Sequence, residues 1–141
     1  MNKLVLYATL LVLAHAAIIF WHLQVLARLN SALTPERAVL LASLVNVIPR
    51  IGVILLWTGF RKPAGWLLLI FFVIPLVIGG YEHFVKSGPD NVFQMARGEF
   101  TLPFQVSAVV LVIFEILVCW ASIRILRVPS PLVEKRQINL G

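Results

Sequence analysis

Apolar residues fall into four long runs, each bounded by a short cluster of polar, proline or glycine positions. No run alternates with the period of two that a barrel strand requires, so helix is the element they predict. A bilayer core about 30 Å thick is crossed by about 20 apolar residues in helical form. The runs predict helices over about 4–29, 35–60, 64–84 and 103–126. At the first break, Thr34 suits an N-cap, Pro35 a first helical position and Glu36 the positive end of a helix. Arg61-Lys62-Pro63 reads as a tight turn that makes the second and third helices an antiparallel hairpin, and Pro103 as the opening of the fourth. The one long loop, 85–102, carries the turn residues Ser87-Gly88-Pro89-Asp90-Asn91 and Gly98. The tail, 127–141, contains Pro129 and Pro131 and is expected to leave the membrane.

Composition sharpens this picture. Hydrophobic residues are 60% of the 141 and charged residues 13%, far from the roughly 25% charged of a soluble domain. The expected fold class is an all-α, polytopic integral membrane four-helix bundle forming a single membrane domain, 1–141. The net charge of +6 does not indicate nucleic acid, because the basic residues sit at the ends of apolar runs. The expected surroundings are the lipid bilayer, with a homo-oligomer or a larger membrane complex as protein partners. The single cysteine, Cys119, rules out an internal disulfide and a CxxC redox pair, and reads as a small buried hydrophobe. Ala14-His15-Ala16 imitates a signal-peptide cleavage site, but Ala17-Ile18-Ile19-Phe20-Trp21 continues the apolar run past it, which favours a retained first helix.

The Lys and Arg distribution predicts orientation. Lys3, Arg61, Lys62, Arg124, Arg127, Lys135 and Arg136 fall on one side, and Arg28, Arg37, Lys86 and Arg97 on the other. Both termini are therefore expected in the cytoplasm with the long loop outside, and a bacterial inner membrane is the expected location.

Ionisable residues inside a membrane are costly and point to a site. At 1.5 Å per residue, Glu115 lies about 18 Å, His15 about 21 Å and Arg50 about 22 Å from the outer ends of their helices. Asn46 and His22 are shallower, and Glu82 and His83 lie near the outer mouth. His15 and His22 share a face; so do Ser43, Asn46 and Arg50, then Glu115, Cys119 and Ser122, then Pro75, Gly79 and Glu82. Converging stripes predict a polar pocket that opens outward, with Arg50 and Glu115 on its floor, either as an ion pair or pointing apart with Glu115 protonated, His15, His22 and Asn46 on its walls, and Glu82 and His83 at its mouth. Pro49 and Pro75 each remove a backbone donor and can widen the bundle.

No GxSxG, Walker loop, GxGxxG or paired cysteine occurs, which excludes soluble-style hydrolases, kinases and dehydrogenases. Three function classes stay open. The leading expectation is a protein that binds or handles a small or lipophilic ligand in the pocket, with a proton-linked step at Glu115 and Arg50. The second is a redox enzyme subunit holding haem or a divalent metal through His22, His83 and Glu82, although neither CxxCH nor HExxH is present. The third is a structural or accessory subunit that docks through the long loop and the tail.

Overall fold

The computed structural model describes residues 3–29, 35–88, 90–95 and 97–128. The expected Thr34 cap, Pro89 of the loop and the tail from Pro129 onward lie outside these. Among the described residues the chain is all-helical and contains no strand: α1 (Lys3–Arg28), α2 (Pro35–Trp57), α3 (Arg61–Gly80), a π-helical turn (Tyr81–Val85) and α4 (Thr101–Arg127). Three helices are long and apolar enough to cross a membrane: α1, α3 with its π turn, and α4. The described apolar stretch of α2 is Ser43–Trp57, which is shorter. At 1.5 Å per residue it spans about 22 Å against the about 30 Å of a bilayer core.

The second connection lies earlier than Arg61-Lys62-Pro63. Those residues form the first turn of α3, where a proline loses no intrahelical bond. The chain reverses instead at Thr58–Phe60, where Gly59 takes φ +91°, a left-handed conformation that ends α2 without a Cβ penalty. The fourth helix likewise starts at Thr101, two residues before Pro103, which still sits in its first turn.

Two apolar clusters set the directions of the helices. One joins Val5 and Ala8 of α1, Leu56 of α2, Ala64 and Leu68 of α3, and Ile125 of α4. The other joins Val25 of α1, Phe104 and Ala108 of α4, and Val92 of the loop. The start of one helix thus meets the end of the next, so successive helices are antiparallel. The main contacts close a ring in which α1 packs on α2 and α4, and α3 packs on α2 and α4. At the Val5 end, Trp57 Nε1 donates to Thr9 Oγ1 at 3.0 Å and ties α2 to α1.

Gly52 sets the rotation of α2. A Cβ built there would lie 2.7 Å from the side chain of Leu68, so α2 and α3 touch at this position. Residues two apart on a helix point about 200° apart. Gly52 facing α3 therefore turns Arg50 away from the bundle.

Candidate functional site

A cavity of about 320 Å³ lies in the half of the molecule that carries the long loop, and all four helices contribute to its wall. The wall is chiefly aliphatic and aromatic; its titratable groups are His22, His83 and Glu115. Leu44 of α2 and Ile74 and Ile78 of α3 line the cavity and are themselves exposed, so it opens sideways between those helices.

The buried stripe of α1, Ala8–His15–His22, repeats every seven residues and runs antiparallel to the buried stripe Ser122–Glu115–Ser107 of α4. This register brings His15 to Glu115 and His22 to Ser107. His15 Nε2 lies 3.7 Å from Glu115 Oε1, an ion pair when the imidazole is protonated. The His15 ring also meets Phe72 edge-on, with centroids 4.8 Å apart.

Toward the loop, His22 Nδ1 lies 2.8 Å from Ser107 Oγ. Ser107 donates its hydroxyl to the Phe104 carbonyl at 2.9 Å. The serine proton being spent, its oxygen accepts from His22 Nδ1–H. His22 Nε2 is then the bare nitrogen, and it is buried without a partner. The His83 ring stands edge-on to that of His22, with centroids 5.2 Å apart. His83 Nδ1 lies 3.1 Å from the Asp90 carbonyl oxygen, which only accepts, so this nitrogen too carries the proton.

The π-helical turn carries Glu82 and His83 on different sides, as neighbours on a helix are. Its wider winding is closed by Lys86 N–H donating to the Tyr81 carbonyl at 2.8 Å. His83 is turned to the cavity, whereas Glu82 accepts from Lys86 Nζ at 2.7 and 3.0 Å. This bond holds the exposed Lys86 ammonium above its ordinary pKa range. The loop then folds back onto the helices. Val92 N–H donates to the His83 carbonyl at 2.8 Å, Gln105 Nε2 donates to the Val92 carbonyl at 2.7 Å, and the buried Asn91 donates to the Lys86 carbonyl at 2.9 Å.

The expected site residues therefore divide. His22, His83 and Glu115 line one cavity, and His15 sits beside it on Glu115. Arg50, Asn46 and Glu82 are not on the lining. The expected Arg50–Glu115 pair is replaced by His15–Glu115, because Arg50 is on the exposed face of α2 and donates to Asn46 Oδ1 at 3.2 Å. The pocket is also more apolar than the polar stripes implied. The set His22, His83 and Glu82 does not assemble, and among the described residues no three His, Cys, Asp or Glu side chains group as metal ligands. The edge-to-face contact of the two imidazoles leaves no slot for a porphyrin plane between them. Sequence reasoning passed over Ser107 and read Asn91 only as a turn residue. The signal for Ser107 was its position eight residues before Glu115, on the same helical face.

No family model matches the chain, and neither a curated protein nor a solved structure matches it. The site itself carries the functional argument.

Proposed function

We propose that this chain is a small integral membrane protein that binds a lipophilic ligand, taken up from the bilayer between α2 and α3. One observation carries the reading: a cavity of about 320 Å³, apolar on most of its wall, beside exposed lining residues on those two helices. Ligand pockets of about 300–1,000 Å³ typically combine an apolar wall with a few convergent polar groups. Three spans are supported by their length and apolarity; in this reading α2 is the fourth, with the polar part of its exposed face, at Ser43 and Arg50, covered by protein or water, while Leu44 beside α3 borders lipid. Both termini are cytoplasmic and the loop is outside, as the Lys and Arg asymmetry argues, in a bacterial inner membrane. The His15–Glu115 pair beside the cavity supports a proton-linked step in handling the ligand.

The test is organic extraction of the protein purified from membranes, with mass spectrometry of the extract, on the native chain and on Ala108→Phe. Ala108 is buried on the lining, so the larger ring fills the cavity. Stoichiometric lipophile retained by the native chain and lost from the variant is the expected result. Equal recovery from a folded variant rejects the cavity as the binding site.

A further inference from the structure

Among the described residues, the free polar groups on the cavity wall are acceptors. Its lining, among the described residues, contains no Ser, Thr, Tyr, Trp, Asn, Gln, Lys or Arg. The two imidazole N–H groups on it are already committed, His22 Nδ1–H to Ser107 and His83 Nδ1–H to the Asp90 carbonyl. The polar atoms left are His22 Nε2, buried, 3% exposed as a residue and unpartnered, the second nitrogen of the His83 ring packed edge-on to it, and the Glu115 carboxylate, which faces His15 at 3.7 Å. A buried polar atom without a partner costs free energy that a complementary ligand group recovers.

We infer that the ligand is an amphiphilic alcohol, an aliphatic, phenolic or quinol-type hydroxyl on a short apolar body, whose O–H donates to His22 Nε2. This rests on the cavity being a ligand site and names the head group it selects. A neutral hydroxyl suits the entry between α2 and α3, because an ion would pay a large desolvation cost on that path. Ketones, ethers and esters lack a donor and would set their oxygen lone pairs against that of the imidazole. At about 30 Å³ per water-sized group, the cavity holds a body of roughly ten such groups.

A matched pair of photoaffinity probes tests this: a saturated alcohol of about ten carbons with a diazirine in its chain, and the methyl ether of the same molecule. The full chain in lipid nanodiscs is labelled with each, and adducts are mapped to peptides. The alcohol is expected to label the Leu44, Ile74 and Ile78 peptides about tenfold more than the ether, the size of one net hydrogen bond. In His22→Phe, which keeps a ring at that position, labelling persists and the alcohol's advantage falls to within about twofold. Should that variant not fold, Ser107→Ala carries the test: with Nδ1 released from its acceptor the ring loses its fixed tautomer, and the advantage is expected to shrink. Equal labelling of the lining by alcohol and ether overturns the head-group inference and leaves the cavity a ligand site. An undiminished preference in folded His22→Phe also overturns it, as does a stoichiometric metal ion that the His22→Phe chain loses. Absence of lining adducts from either probe overturns the ligand site itself.

Discussion

His15 Nε2 lies 3.7 Å from Glu115 Oε1, with the two side chains 2% and 6% exposed, which makes Glu115 a partner of α1 and not of α2. The pairing is set by helix register. Ser122 and Glu115 on α4 keep step with Ala8 and His15 on α1, whereas Arg50 is held outward by the Gly52 contact with Leu68. A double-mutant cycle on His15→Leu and Glu115→Leu should therefore give a coupling energy of about 0.5–3 kcal/mol in detergent unfolding. The cycle on Arg50→Ala and Glu115→Leu should stay below about 0.5 kcal/mol. The reverse order of couplings would restore the Arg50–Glu115 pair.

Gly52 is the point of closest approach between α2 and α3. A methyl group there meets Leu68, which is fully buried and packed, and whose side-chain atoms lie 2.7 and 2.8 Å from it. Gly52→Ala gains up to about 1 kcal/mol of helix propensity and loses about 1–3 kcal/mol to overpacking. The expected net effect is a lower melting temperature, and combined with Leu68→Ala, which itself destabilises the core, the added cost of Gly52→Ala should vanish because the methyl then has room. A Gly52→Ala chain as stable as the parent would place the two helices further apart.

Asn91 organises the loop that folds back onto His83 and α4. Its side chain donates to the Lys86 carbonyl and accepts from Phe93 N–H at 2.9 Å, and it is 2% exposed. Asn91→Ala removes two part-buried hydrogen bonds, at a cost of about 0.5–1.5 kcal/mol each. Because the neighbouring Asp90 carbonyl holds His83 Nδ1, hydrogen exchange of residues 90–95 should rise in the variant while that of α1 and α4 stays slow. Unchanged exchange would mean that the loop is held by its apolar contacts alone.

The proposed orientation is open to a direct check. Lys86→Cys, exposed just beyond the π turn, should react with a membrane-impermeant maleimide on intact cells. Lys62→Cys, exposed at the start of α3, should react only after the cells are opened. The one native thiol, Cys119, is buried and should be replaced by alanine as the background. Labelling in the opposite sense would put the termini outside.

The apolar runs by themselves determined the helices, because about 20 apolar residues between polar breaks leave few alternatives to a helix. They also determined one seam: His15 and His22 on α1, and Glu115, Cys119 and Ser122 on α4, are buried as their spacing implied. Tertiary structure decided the rest. A helix that is apolar nearly all round carries no hydrophobic signal for which face turns inward, since lipid and core are equally apolar. The stripe Ser43, Asn46 and Arg50 was thus a poor guide to the rotation of α2, which the Gly52 contact sets instead. That Glu82 and His83 part was already legible, since neighbours on a helix point about 100° apart, but Ser107 became important only when the antiparallel register set it against His22.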